Sequence, residues 1–171
     1  MMIAVLRLSH RKKRDKRIST HAGLVSRALG ADKIIYTGDE DNVLLNSVNN
    51  VVKHWGGKFT AEYSKHYEKI INEYKKKKFL IVHLTMYGLK LEKEIRKIRK
   101  RKNILVIIGG EKVPKEIYEL SDYNLSVTSQ PHSEIAALAL FLDYYYKGKE
   151  LSRKFPHGKR IKPDAKHKIF I

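Results

Sequence analysis

Apolar residues are grouped along this chain in short runs that alternate with segments of helical spacing. Positions 3–8, 33–37, 79–84 and 104–108 are rich in aliphatic and aromatic side chains. Such runs read as strands buried in a parallel sheet, and 59–63 reads as a shorter one. Between them, 42–54, 65–77 and 89–101 read as helices. Val43, Leu44, Val48 and Val51 mark the buried side of the first, and Tyr67, Ile70, Ile71 and Tyr74 that of the second. In the third, Leu91, Ile95 and Ile98 face inward beneath a heavily cationic outer surface. This alternation predicts an α/β fold with a mostly parallel sheet covered by helices on both faces.

Two further helices carry more than packing. The spacing predicts a helix over 20–29, capped by Ser19 or Thr20 and ended by Gly30. Leu24, Ala28 and Leu29 are expected to bury one face, which leaves Arg27 pointing toward solvent or a site. The helix over 134–146 has Ile135, Leu138, Leu142 and Tyr145 on one face and Ala136, Ala137, Ala139 and Leu140 around much of the rest. A helix apolar nearly all round is buried on more than one side, and a second subunit is its expected cover.

Candidate chemistry gathers between 104 and 145. The aliphatic strand runs into Gly109-Gly110-Glu111-Lys112-Val113-Pro114, where glycines let the backbone approach a ligand and Pro114 suits a helix start. Asn124-Leu125-Ser126-Val127 reads as a second turn, and Thr85-Met86-Tyr87-Gly88 lies at another strand end. Ligands of open α/β sheets bind beyond the carboxyl ends of strands, so these loops are expected to form one pocket. Neither a Gly-x-Gly-x-x-Gly nor a Walker-type glycine loop occurs, which argues against dinucleotide and triphosphate sites.

Charge adds a partner. The 171 residues suit one domain, expected over 1–151, with a basic tail over 152–171. Thirty-six Lys and Arg against eighteen Asp and Glu give a net charge of +18, which points to a polyanion, nucleic acid first. Residues 103–146 run the other way, with six acidic and two basic side chains. Six of the seven residues from Arg11 to Arg17 are basic, a loop expected to contact phosphates and too charged for burial. The tail beyond Gly148 is read as solvated or ordered only by RNA. Asp39-Glu40-Asp41 is read as a turn opening a helix, and His83 as a core residue. His10, His21, His83 and His132 match no compact ligand spacing, so no metal site is expected. Without cysteine there is no disulfide, thiolate zinc site or cysteine nucleophile. No apolar run is long enough to span a membrane and the N-terminus lacks a signal-peptide pattern, so a cytoplasmic protein is expected.

Several segments, in order, resemble one family. They are Leu6-Arg7-Leu8-Ser9-His10-Arg11 with Arg14-Asp15 and Arg17, then the Gly109 to Pro114 loop, Asn124-Leu125-Ser126-Val127, and Gln130-Pro131-His132-Ser133-Glu134. Together they are similar to the archaeal tRNA cytidine-56 2′-O-methyltransferases of the SPOUT superfamily, over residues 3–151. The resemblance implies a C-terminal trefoil knot, a homodimer, S-adenosyl-L-methionine as methyl donor, and the ribose of a T-loop cytidine of tRNA as acceptor.

It also implies roles for residues. Arg27 matches the catalytic arginine of the first superfamily motif, while His21 departs from its asparagine. Pro114 replaces the last glycine of the second motif, as in this family. The cofactor would be held by Leu84, by Gly109, Gly110, Glu111, Lys112 and Val113, and by Val127, Thr128, Ser129 and Gln130. Pro131, His132, Ser133 and Glu134 complete that set, with Ser129 standing where relatives carry asparagine. Arg7, His10, Arg11, Arg14 and Arg17 would contact RNA. Two other readings stay open: a ribosomal-RNA 2′-O-methyltransferase of the same superfamily, and a catalytically silent RNA-binding protein.

Overall fold

The aliphatic runs become the strands of one six-stranded parallel sheet. The computed structural model describes residues 1–110 and 112–171. Strands β1 (Met2–His10), β2 (Lys33–Gly38), β3 (Thr60–Tyr63), β4 (Leu80–Lys90), β5 (Asn103–Ile108) and β6 (Tyr123–Ser126) lie in the order β3-β2-β1-β5-β4-β6. The two most aliphatic strands, β1 and β5, pair at the centre, Ile3 opposite Ile104 and Leu6 opposite Ile107. Every neighbouring pair is parallel.

Successive β1 side chains enter opposite cores, as strand geometry requires. Ile3 and Val5 pack with side chains of α1 (Lys16–Ala28), α2 (Asn42–Trp55), α4 (Leu91–Ile98) and α6 (Glu134–Tyr146). Ala4, Leu6 and Leu8 pack with those of α3 (Tyr67–Lys76) and α5 (Lys115–Leu120). Helices therefore cover both faces, as the alternation predicted.

Several local expectations are corrected. Helix α1 begins at Lys16 after Asp15, so neither Ser19 nor Thr20 caps it; Ser19 is buried and the Thr20 hydroxyl donates to the Lys16 carbonyl. Its buried side is Ser19, Ala22, Gly23, Ser26 and Arg27, not the Leu24 and Ala28 face, and Ala28 is exposed. Small residues win there because α2 packs close: a Cβ on Gly23 would stand 2.8 Å from Val48 and 2.5 Å from the Tyr36 hydroxyl. The Asn124 segment is a strand, β6, rather than a turn. Pairing of β4 with β6 shifts register between Leu84 and Leu89, so 85–88 bulges out of the ladder.

The tail is ordered. A 3₁₀ turn (Lys149–Ser152) leads to the antiparallel pair β7 (Ile161–Lys162) and β8 (Ile169–Phe170). It lies back on the end of α2: the Gly57 amide donates to the Pro156 carbonyl at 3.0 Å and the Lys159 amide to the His54 carbonyl at 3.0 Å. These partners lie about a hundred residues apart in the chain, beyond the reach of local pattern. No helix is long and apolar enough to cross a membrane among the described residues.

Candidate active site

The carboxyl ends of β1, β4 and β5 open into two adjoining cavities. The first, about 470 Å³, is a cleft walled by Leu84, Ile108, Val113 and Ala137 and closed by the 85–87 bulge and residues 131–134. The second, about 500 Å³, is lined by Arg7, Ser9, Arg11, Arg14, Asp15 and Lys112. Ile18, Gly110 and Glu134 line both. One cavity is mostly apolar and the other cationic, and they meet at one carboxylate.

That junction is tightly held. Glu134 opens α6, and its Oε1 accepts from Arg7 Nε at 3.2 Å and Nη2 at 2.9 Å, both side chains buried. Asp15 receives the Arg11 guanidinium at 3.0 and 3.1 Å. The Arg11 hydrogen bond, with the charges of Arg11 and Arg7, holds the Asp15 carboxyl below the usual range against the effect of its burial. Arg14 has no ion-pair partner among the described residues and faces the second cavity.

Below the loop, the His10 ring sits between Ser19 and Asp41. Nδ1 is 2.7 Å from the Ser19 hydroxyl and Nε2 3.5 Å from the Asp41 carboxylate. Asp41 also caps α2 through the Val43 and Leu44 amides, which with His10 outweigh burial and keep its carboxyl below the usual range. This buried cluster ties the arginine loop to α1 and α2.

On the cleft wall, His83 is fully buried. The Asn124 side chain donates to the Tyr118 carbonyl, so its oxygen faces His83 Nδ1, 2.9 Å away, as an acceptor. That arrangement puts the proton on Nδ1, and burial lowers the His83 pKa despite the Asn124 bond. Thr85 and Tyr118 hydroxyls meet at 3.0 Å and brace the bulge.

Of the residues implied for the cofactor, Leu84, Gly109, Gly110, Val113, Pro131, His132, Ser133 and Glu134 line the cleft. Lys112 lines the second cavity instead. Val127, Thr128, Ser129 and Gln130 lie on the approach to Pro131 and line neither, and Glu111 falls outside the described residues. Thr85, Met86 and Tyr87 line the cleft, as expected of the strand-end loop over 85–88, while His83, Tyr118 and Ile18 are lining residues that the residue pattern missed.

Three placements bear on the RNA and catalytic readings. Arg7 and His10 are 2% and 1% exposed, with Arg7 bonded to Glu134 and His10 to Ser19. The charged loop thus buries one of its members, Asp15, next to the buried His10 that ends β1. Arg27, nine residues after Ile18 on α1, stands about 14 Å along the helix from the cleft of its own chain. It is buried, donates to the Trp55 and Gly56 carbonyls at 2.8 Å each, and lies under the Phe155 ring at 4.3 Å. Arg14 and Arg17 are exposed, and the Arg11 side chain is half exposed.

The cleft fits a nucleoside-bearing cation such as S-adenosylmethionine. Its apolar walls suit a purine ring, its volume falls in the range of small-molecule sites, and the buried Glu134 carboxylate suits a sulfonium charge. A Cβ on Gly110 would meet nothing within 4 Å, so this loop lies open to the cavity.

The architecture is that of the SpoU-type methyltransferases. The crystal structure of the SpoU methyltransferase AviRb from Streptomyces viridochromogenes, in complex with the cofactor AdoMet, superposes with a TM-score of 0.65 at 15% identity, over 86% of this chain and 58% of that one. The TrmH/SpoU tRNA modifying enzyme of A. aeolicus gives 0.63 at 15% identity, over 88% and 79%. In sequence, residues 55–171 match the family model described as tRNA ribose 2′-O-methyltransferase, aTrm56. A Methanocaldococcus jannaschii protein named tRNA (cytidine(56)-2′-O)-methyltransferase is 55% identical over 100% of this chain and 97% of its own length. One of the same name from Thermococcus kodakarensis is 48% identical over 98% and 95%. The chain belongs to the aTrm56 family of tRNA ribose 2′-O-methyltransferases.

Proposed function

We propose that this chain is an S-adenosylmethionine-dependent enzyme that methylates the ribose 2′-oxygen of cytidine 56 in the T-loop of tRNA. The observation that carries the reading is the junction itself: an apolar cleft with a carboxylate, opening directly into a cationic chamber. Family membership supports the acceptor. The catalytic unit is residues 1–151, working in the cytoplasm. The trefoil threading of the 84–88, 109–113 and 127–133 loops belongs to the same reading.

S-adenosylmethionine supplies an electrophilic methyl group when bound. Residues of the chain place the acceptor. Arg11 and Arg14 take the phosphates flanking the target ribose, with Arg17 on the exposed first turn of α1 beside them. Arg14 assumes the part first given to Arg27, because it faces the chamber with no ion-pair partner among the described residues. A guanidinium stays protonated at neutral pH and cannot accept the hydroxyl proton, which leaves to water or a substrate phosphate, so Arg14 orients the 2′-oxygen and stabilises charge developing there. Alignment of acceptor and donor across the shared wall supplies much of the rest.

The protein acts as a homodimer. Ala136, Leu140 and Tyr144, one turn apart on α6, are exposed, and a second copy is the cover that suits such a stripe.

The test is methyl transfer from labelled S-adenosylmethionine to an unmodified tRNA transcript, with the product mapped by resistance to alkaline cleavage. A single 2′-O-methyl at cytidine 56 is expected. Methylation of ribosomal RNA only, or none with the cofactor bound, overturns the acceptor assignment. Arg14→Ala is expected to lower kcat at least about a hundredfold with cofactor affinity retained, the size of loss for one transition-state hydrogen-bond donor.

A further inference from the structure

The ordered tail is more than a lid on the end of α2. From Arg153 on it carries seven basic residues and one acidic. Lys159, Arg160, Lys162, Lys166 and Lys168 are all exposed, and none is in an ion pair among the described residues. The single acid, Asp164, is spent on the turn, where its Oδ1 accepts from the Lys166 and His167 amides at 2.9 and 2.7 Å.

This hairpin is held against electrostatic resistance. Residues 1–146 carry twenty-seven basic and sixteen acidic side chains, so a cationic arm is docked on a cationic body. The attachment relies mainly on packing and hydrogen bonds, with one ion pair, Arg153 to Asp32 at 3.6 Å. Phe155 covers Arg27, Phe170 approaches Trp55 at 6.4 Å between centroids, and Arg153 donates to the Gly30 carbonyl at 2.6 Å. The chains run so close that a Cβ on Gly158 would stand 2.1 Å from the Trp55 carbonyl carbon. Arg27, through Trp55, Gly56 and Phe155, is the pin that joins α1, the α2 terminus and the arm. A preformed arm loses little conformational entropy on binding. Charge concentrated at such a site raises local attraction for a polyanion.

We propose that the hairpin is a second RNA-binding surface, pinned by Arg27, that grips backbone phosphates of the substrate tRNA away from the T-loop. It lies at the opposite end of α1 from the chamber, about 14 Å or more along the helix, too far to touch the nucleotide being modified in the same chain. This rests on tRNA being the substrate; the binding measurement below is read separately from methyl mapping, so either can fail alone.

The experiment compares intact tRNA transcript with an isolated T-arm stem-loop, as binding constants over a salt series. The variant combines Lys159→Ala, Arg160→Ala, Lys162→Ala and Lys168→Ala. For intact tRNA its affinity is expected to fall at least about tenfold and its log–log salt slope by about 2–3, with stem-loop affinity within about twofold of wild type. Arg27→Ala is expected to reproduce the loss on intact tRNA, to add nothing in the combined variant, and to expose 153–162 to trypsin. S-adenosylmethionine affinity by calorimetry checks that both variants are folded. Equal losses on the two RNAs, or an unchanged salt slope, would overturn the remote contact. Full tRNA affinity in Arg27→Ala together with lost turnover would overturn the pin and return Arg27 to catalysis.

Discussion

Glu150 buries a carboxyl group beside that of Asp143. Burial first, and Asp143 second, raise its pKa. A carboxyl raised in the folded state contributes stability that is complete below its unfolded pKa, about 4.3, and lost as pH rises through the folded value. At neutral pH this position is therefore a liability. Glu150→Gln is expected to raise the thermal midpoint by about 2–4 °C at pH 7, roughly 1 kcal/mol in a chain of this length, and to have almost no effect near pH 4. Scans at the two pH values check it. His83 has the opposite sign: its lowered pKa favours the neutral ring, so its contribution is complete above pH about 6.5 and declines as pH falls. Residue types pointed to Gly110, and the family resemblance to Glu134, as candidate site members. They did not reveal that Arg7 would be consumed by Glu134, because that bond joins residues 127 positions apart.

Among elements, the β4–β6 pair decides the shape of the cleft. Gly88 is where the bulged strand passes over β6, and a Cβ there would lie 2.4 Å from the Asn124 carbonyl carbon and oxygen. Backbone cannot yield as a flexible side chain does. Gly88→Ala is expected to destabilise by about 1–3 kcal/mol and to weaken S-adenosylmethionine binding, because the 85–87 bulge is a cleft wall. Denaturant unfolding and calorimetry measure the two effects. Helix α6 runs over the residues its spacing predicted, since Ser133 caps it and a left-handed Lys147 ends it. Strand β6 was unreadable as a strand: four residues, with only Leu125 and Ser126 buried, are too few to show a period.

For the whole molecule, net charge and the exposed α6 stripe make separate claims. Leu140 and Tyr144 are 43% and 41% exposed, values high for large side chains with no partner to cover them. Leu140→Lys is expected to shift the protein from dimer to monomer in sedimentation equilibrium, while circular dichroism stays that of the wild type. The net charge of +18 left open where a polyanion would touch. Folding places one group of cations at the chamber and another on the hairpin, at opposite ends of α1.

Local pattern was sufficient for the parallel α/β class, for most strands and helices, and for a ligand loop at the end of β5, because hydrophobic periodicity and glycine conformation act within a few residues. The ordered motifs placed the chain in its family on the same local grounds. Tertiary structure alone decided which arginines remained free. Arg7, Arg11 and Arg27 are alike in the sequence, yet one is bound by Glu134, one by Asp15 and one by the Trp55 and Gly56 carbonyls. A guanidinium's partner is set by what the fold brings within 3 Å, and those groups come from distant segments. The tail's order has the same origin: its partners on α1 and α2 are supplied by long-range packing, to which composition is blind.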